Sequence, residues 1–187
     1  MFIQTEATPN PATLKFLPGR TVLAQGTLEM RDAAAAASSP LASRLFAIKD
    51  VSSVFFGQDF ITVTKTAGEW NHLKPAILGA IMEHFLSNDP IVHDGTDTAG
   101  GEDGDEFFDD KDASTVGMIK ELIETRVRPA VASDGGDITF KGYRDGIVFL
   151  NMRGACAGCP SSTATLKSGI ENLLRHFVPD VTEVRPV

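Results

Sequence analysis

The sequence lacks the features that mark contact with membranes or nucleic acids. None of its apolar runs approaches the roughly 18 residues that a membrane-spanning helix needs, so we predict no membrane partner. Basic side chains are outnumbered, since 17 Lys and Arg against 25 Asp and Glu give a net charge of -8. Nucleic acid is therefore not expected as a partner, because its phosphates demand a basic patch. Residues 1–5 hold no basic cluster and no long apolar stretch, so we expect no secretion signal.

Cysteine is scarce, and the signatures of common catalytic sites are missing. The two cysteines, Cys156 and Cys159, are too few for a disulfide framework. In a reducing cytosol their spacing indicates metal binding or redox chemistry. We find no nucleophilic triad, no phosphate-binding loop and no dinucleotide-binding glycine motif. The sequence therefore predicts a protein that is not an enzyme in the usual sense.

Acidic side chains are concentrated in one segment. Residues 89–112 hold ten of the 25 acidic side chains and one of the 17 basic ones. Like charges repel and glycine adds chain entropy, so we predict an extended, unpacked, flexible linker here. It would join a first domain at residues 1–88 to a second at 113–187. Two explanations stay open for Phe107 and Phe108: they cap the edge of the second domain's core, or they dock a partner.

The strands of the first domain are predicted from short runs of β-forming residues. Such runs occupy residues 2–6, 13–16 and 21–28. A hairpin is predicted over residues 51–65, with its turn at 57–59, because both arms are rich in β-branched and aromatic residues.

Two helices are predicted to complete the first domain. Ser39 followed by Pro40 is typical of a helix start, with serine as the cap and proline at the first position. Apolar residues every four positions predict a second helix over residues 70–86, with His72 and His84 on its exposed side. The first domain is thus a small α+β unit without an evident catalytic site.

The second domain is predicted as an α-β-β-α-β unit, so the fold class of the whole chain is α+β. Asp145-Gly146 is a strong hairpin signal, because both residues tolerate positive φ. The two cysteines follow this hairpin and precede a helix whose first residue is Pro160. The remaining elements are a first helix with apolar residues at 119, 122, 123 and 127, a cysteine-loop helix with apolar residues at 166, 170, 173, 174 and 177, and a final strand at 181–184.

The cysteine loop has features that favour thiolates. Cys159 is expected at the helix N-cap, where the helix dipole and unpaired backbone N–H groups stabilise negative charge. Gly154 and Gly158 let the backbone turn sharply, and we expect them to leave N–H groups free to bond to sulfur. Because glycine-rich loops tend to expose their side chains, exposed thiolates are predicted.

Three explanations of the cysteine pair are open. It could be a structural pair of buried thiols, a thioredoxin-like pair for thiol–disulfide exchange, or a metal site. Zinc and iron–sulfur clusters generally take four protein ligands, and one chain offers two thiolates. Two chains that each contribute Cys156 and Cys159 around a two-fold axis would complete the set. We therefore favour a shared metal site between two copies, with thiol–disulfide exchange or zinc binding as the alternative function.

Both halves of the chain resemble the Nfu-type iron–sulfur cluster scaffold proteins. The second half resembles the NifU-like C-terminal domain and the first half resembles the Nfu N-terminal domain, in the order of that family. The resemblance rests on residues 134–138 (DGGDI), 154–162 (GACAGCPSS), 165–167 (TLK) and 169–171 (GIE), and on 5–11 (TEATPNP), 39–42 (SPLA), 45–46 (LF) and 59–63 (DFITV).

The resemblance implies an iron–sulfur cluster scaffold or carrier. Proteins of this type assemble or receive a [4Fe–4S] cluster bridged between two subunits and pass it to apo-proteins. It implies Cys156 and Cys159 as cluster ligands, a homodimer on cluster binding, and cluster-assembly machinery as the donor. Because no Arg- and Ser-rich transit peptide precedes the first domain, we expect a bacterial cytoplasmic protein, with a processed mitochondrial matrix form as the alternative.

Overall fold

The chain folds into two compact units, Met1–Gly101 and Glu102–Val187. The structure, a computed structural model, describes residues 1–96, 106–157 and 160–187, with the side chains of all of these except 160–162. None of the helices in these ranges combines the length and the apolar character that a membrane span requires. The exact bounds of the two domains and of the linker stay predictions.

The first unit is an antiparallel sheet with two helices packed on one face. Its strands lie in the order β1-β2-β5-β4-β3. Apolar residues of the sheet, such as Phe16 and Val54, share a core with Leu45 and Ile77 of the helices. The elements are β1 (Gln4–Ala7), β2 (Thr13–Leu17), β3 (Leu28–Met30), a 3-10 turn (Ala35–Ser38), α1 (Pro40–Phe46), β4 (Val51–Phe56), β5 (Ile61–Lys65) and α2 (Trp70–Ser87).

The start of α1 follows the predicted chemistry. Pro40 is its first residue, and the Ser39 hydroxyl accepts a hydrogen bond from the Ala42 N–H at 3.0 Å. The same hydroxyl donates to the Ile91 carbonyl. Ser39 therefore hydrogen-bonds both to the first turn of α1 and to the chain that follows α2.

The third strand was predicted in the wrong place. Residues 21–26 form a loop, and β3 starts at Leu28. Val22 and Leu23 are buried, and their N–H groups donate to the Gln58 carbonyl in the turn between β4 and β5. Gly26 has φ 70°, which breaks the extended chain. The apolar residues that suggested a strand are buried as a loop packed on the hairpin turn.

His84 is buried, so the prediction that it lies on the exposed side of α2 was wrong. Its exposed fraction is 0%. Among the residues that the structure describes, none makes a well-aligned hydrogen bond to either ring nitrogen. Arg44, on α1, and Asp89 are the charged groups that face it.

The second unit has the predicted α-β-β-α-β order, which confirms the α+β class. Its sheet has the order β6-β7-β8, with β7 antiparallel to β6 and parallel to β8. The helices pack against the sheet over an apolar core that includes Ile119, Leu150 and Leu174. The elements are a 3-10 turn (Asp110–Asp112), α3 (Ala113–Leu122), a π-helical segment (Ile123–Val127), α4 (Arg128–Ser133), β6 (Gly136–Arg144), β7 (Ile147–Gly154), α5 (Pro160–Phe177) and β8 (Glu183–Pro186).

The hairpin of the second unit forms where the sequence predicts it. Asp145 and Gly146 have φ values of 52° and 80°, the left-handed pair that a tight hairpin turn needs. The last strand is displaced toward the C-terminus, since β8 begins at Glu183 rather than at residue 181. Phe177, predicted on the buried face of α5, is 44% exposed and lies under the Arg126 guanidinium.

Both described ends of the acidic segment are packed, contrary to the expectation of an unpacked chain throughout. Ile91 and Val92 pack against the first core, and the His93 N–H donates to the Ser38 carbonyl at 2.9 Å. Phe107 lies beside β6, where its N–H donates to the Lys141 carbonyl and its carbonyl accepts from the Tyr143 N–H. The residues at 97–105 lie outside the described residues.

Candidate metal centre

The cysteine loop lies at one end of the sheet in the second unit. Gly136, the first residue of β6, pairs with Gly154, the last residue of β7. Gly154 has φ 64°, a conformation that favours glycine, so the sharp turn expected there is present. The chain then passes Cys156 and re-enters regular structure at Pro160, the first residue of α5.

Cys156 is buried, so the expectation of an exposed thiol was wrong for this residue. Its exposed fraction is 5%, and it belongs to the apolar core of the second unit. Its sulfur lies against the backbone of Gly136, where a methyl group in place of the glycine hydrogen would collide with it. A glycine at 136 therefore provides the recess that the sulfur fills.

The environment of Cys156 favours the thiol over the thiolate, the reverse of what the sequence suggested. Burial raises the pKa of the Cys156 thiol to about 12, and the nearby carboxylates of Asp134 and Asp137 act in the same direction. In this conformation Cys156 is a poor nucleophile and a poor metal ligand, because both roles need the thiolate. Metal binding at Cys156 requires the side chain to leave the recess.

The backbone N–H groups next to Cys156 are already used. The Ala155 N–H donates to the Gly135 carbonyl at 3.2 Å, the Cys156 N–H to the Arg153 carbonyl at 3.4 Å, and the Ala157 N–H to the Gly154 carbonyl at 3.1 Å. The expectation of free donors for sulfur was wrong for these three residues. They hold the loop in its present shape instead.

Asp137 and Arg128 form a partly buried ion pair beside the loop, which sequence reasoning missed. Arg128 donates to both oxygens of Asp137, at 2.9 Å each. Arg128 also pairs with Glu124 at 2.8 Å, and Asp137 is 3% exposed. Asp137 belongs to the quoted DGGDI run, but nothing local in the sequence shows that Arg128 returns from the preceding helix to meet it. The pair fixes the start of β6, on which the cysteine loop rests.

The second predicted ligand, Cys159, lies outside the described residues, so the structure gives no distance between the two cysteines. Among the residues that the structure describes, no three His, Cys, Asp or Glu side chains are grouped so that they could hold a metal ion. The assignment of Cys156 and Cys159 as ligands stays a prediction.

Family models match both halves of the chain. A model described as scaffold protein Nfu/NifU N terminal matches residues 3–88, and a model described as NifU-like domain matches residues 119–185. One match lies within each predicted half of the chain, in the order of the resemblance.

Relatives match over the full chain. The human protein named NFU1 iron-sulfur cluster scaffold homolog, mitochondrial, is 52% identical over 189 residues, a match that covers 100% of this chain and 72% of the human protein. The Drosophila virilis protein of the same name is 49% identical, and the match covers 100% of this chain and 62% of that protein. A solution structure of a NifU-like protein from Saccharomyces cerevisiae covers 50% of this chain and 86% of its own, with 24% identity and a TM-score of 0.46.

The predicted bacterial cytoplasmic location was wrong. The human and Drosophila virilis relatives are both named mitochondrial proteins. The prediction relied on the first residues of the sequence. Since this chain matches only part of each relative's length, those residues say nothing about targeting.

Proposed function

Because this chain belongs to the Nfu family of iron–sulfur cluster scaffold proteins, we propose that it holds an iron–sulfur cluster as cargo and delivers it to apo-proteins. We propose a [4Fe–4S] cluster bound between two copies of the chain. Cys156 and Cys159 of each copy supply the thiolate ligands. Cluster-assembly machinery is the donor, and cluster binding produces the homodimer.

One observation supports this function above the others: 52% identity, over the full length of this chain, to a protein named as an iron–sulfur cluster scaffold. The number of cysteines agrees with a shared cluster site, because a chain with two thiolates leaves half of a four-ligand site to a partner.

Delivery follows from the same ligand count. A cluster held by two thiolates from each copy lies at an interface, where thiolates of a recipient can replace its ligands one at a time. We propose that the acidic segment separates the Nfu-type domain from the cluster-binding domain, so that recipients can reach the cluster. We also propose a mitochondrial location, as the names of the relatives suggest.

Anaerobic reconstitution tests the proposal. The full chain is incubated with iron and sulfide, and iron, sulfide, Mössbauer spectrum and oligomer mass are measured together. We expect about four irons and four sulfides per dimer. Cys156→Ser and Cys159→Ser should each abolish the cluster and the dimer that depends on it.

Other outcomes would reject the proposal in different ways. A colourless protein that retains zinc would favour a zinc site. A protein whose two thiols cycle as a disulfide in an insulin-reduction assay would favour thiol–disulfide exchange. A cluster of normal stoichiometry in monomers would reject the shared site and leave the scaffold function in place.

A further inference from the structure

The carbonyl of Cys156 is tied to α5 by a side chain. The Thr163 hydroxyl, on the first turns of α5, donates a hydrogen bond to the Cys156 carbonyl at 3.1 Å. Thr163 is partly buried and stands seven residues after the cysteine. This hydrogen bond therefore connects the backbone of Cys156 directly to α5.

A second attachment holds the other side of the loop. The Ala155 N–H donates to the Gly135 carbonyl at 3.2 Å. Between these two attachments the Cys156 sulfur is directed into the recess over Gly136. The backbone on each side of the thiol is thus held by a hydrogen bond, and with the backbone in this position the sulfur occupies the recess.

We propose that Thr163 is a positioning residue that holds Cys156 in its recess, so that the metal-free chain stores this thiol in a protected form and releases it when the Thr163 bond breaks. The protection of the thiol is inferred from the contacts of Cys156 alone. The link to cluster loading rests on the proposed function, because it takes Cys156 as a ligand that must turn outward to meet iron.

A threonine serves this role through its hydroxyl. Valine has nearly the same shape and cannot donate, whereas serine donates and lacks only the methyl group. If the hydrogen bond holds the loop, serine should preserve the protection and valine should lose it. If Thr163 acts only by packing, the order should be reversed.

The test measures how fast Cys156 of the metal-free full chain reacts with iodoacetamide. Fragment-ion mass spectrometry distinguishes it from Cys159, which lies in the same tryptic peptide. We expect Cys156 to react more than tenfold faster in urea than in the native protein. Thr163→Val should speed the native reaction about three- to tenfold, which is the effect of losing one ordinary hydrogen bond. Thr163→Ser should stay within about twofold of the original rate.

A matched variant controls for general loosening of the fold. Thr125, in the π-helical segment, donates its hydroxyl to the Glu121 carbonyl at 2.7 Å on the exposed side of the helix. Thr125→Val removes the same kind of bond away from the loop and should leave the Cys156 rate unchanged. Equal rates for the original chain and Thr163→Val, or equal acceleration by Thr163→Val and Thr163→Ser, would overturn the proposal.

A second variant tests the recess itself. Gly136→Ala fills the space that the sulfur occupies and should increase the alkylation rate of Cys156 beyond that of Thr163→Val. If circular dichroism shows that Gly136→Ala does not fold, the comparison of Thr163→Val with Thr163→Ser still tests whether the Thr163 hydroxyl protects Cys156. These rates involve no iron, so a chain that fails to bind a cluster can pass this test, and a chain that binds one can fail it.

Discussion

At the scale of the residue, His84 occupies an environment that opposes its charged form. Burial lowers the pKa of His84 below its ordinary value of 6.5, the positive charge of Arg44 acts in the same direction, and Asp89 acts against both. The unfolded chain therefore binds this proton more tightly than the folded one does. Its contribution to stability is complete above pH about 6.5 and is lost as the pH falls toward the lower folded value.

Replacing this histidine should stabilise the first unit in acid. Neither ring nitrogen makes a well-aligned hydrogen bond to a described residue, so His84→Leu removes a desolvated polar group. We expect a gain of about 1–2 kcal/mol at pH 5.5 with a smaller pH slope. Urea unfolding followed by Trp70 fluorescence reports on this unit, because Trp70 is the single tryptophan. The exposed His72 is the control, and His72→Leu should change the stability at pH 5.5 by less than about 0.5 kcal/mol. If the stability of His84→Leu depended on pH as steeply as that of the original chain, His84 would not be a source of this pH dependence.

Arg128 should be needed for the stability of the second unit. Arg128→Gln leaves the Asp137 carboxylate buried without its forked partner, and we expect a loss of about 2–4 kcal/mol in the free energy of unfolding. Circular dichroism during chemical unfolding measures the loss. Arg185 makes a surface pair with Glu183, so Arg185→Gln should cost less than about 0.5 kcal/mol. Similar losses for the two variants would show that the Arg128–Asp137 pair stabilises the unit no more than the surface pair does.

At the scale of the element, the segment around Phe107 packs on the sheet of the second unit. The Phe107 ring lies 5.1 Å from the Phe149 ring, centroid to centroid, over Gly142, where any larger residue would collide with it. Glu106 adds an ion pair to Lys120 at 2.9 Å. Of the two explanations for the neighbouring phenylalanines, these contacts favour a core-capping role for Phe107.

Alanine substitutions separate the two phenylalanines. Phe107→Ala should destabilise the second unit by about 1–3 kcal/mol, because it removes a partly buried ring and an aromatic pair. Phe108 is 39% exposed, so Phe108→Ala should stay within about 0.5 kcal/mol. Chemical unfolding followed by circular dichroism gives both values. A larger loss at Phe108 would reverse the interpretation.

Elements whose signal is local could be predicted from the sequence. The turn at Asp145-Gly146 needs positive φ, and the start of α1 needs a serine cap and a proline, so residue type alone located both. The loop at 21–26 could not be predicted, because Val22 and Leu23 are buried against a turn that lies far along the chain.

The same limit applies to the candidate site. The motif identifies Cys156 as chemically important, yet its burial depends on Gly136 and Thr163, which reach it from two different elements. Likewise α2 was predicted correctly, but which of its histidines is buried depends on α1 and on the chain after Asn88. Local patterns therefore identified candidate residues without showing the direction of their side chains.

At the scale of the whole molecule, the described residues form two separate apolar cores. Leu45 belongs to the first and Leu174 to the second, and both are fully buried. Leu45→Ala should destabilise the first unit by about 2–5 kcal/mol, and Leu174→Ala the second by a similar amount. Each should change the other unit by less than about 0.5 kcal/mol.

Intrinsic probes distinguish the two units in one sample. Trp70 lies in the first and Tyr143, the single tyrosine, in the second. Fluorescence of Trp70 and near-ultraviolet circular dichroism of Tyr143 should therefore shift separately in the two variants. If one substitution moves both transitions equally, the chain unfolds as a single cooperative body.

The position of β8 along the chain has a consequence for biosynthesis. Ribosomes add about 5–20 residues per second, and β8 begins at Glu183, about 27 residues after Cys156, so roughly 1–5 s separate their synthesis. During this interval the residues of the third strand do not yet exist, so the core that Cys156 shares with Leu174 and Val184 cannot be complete. The Cys156 thiol therefore becomes buried in that core only after its own synthesis has been followed by that of α5 and β8.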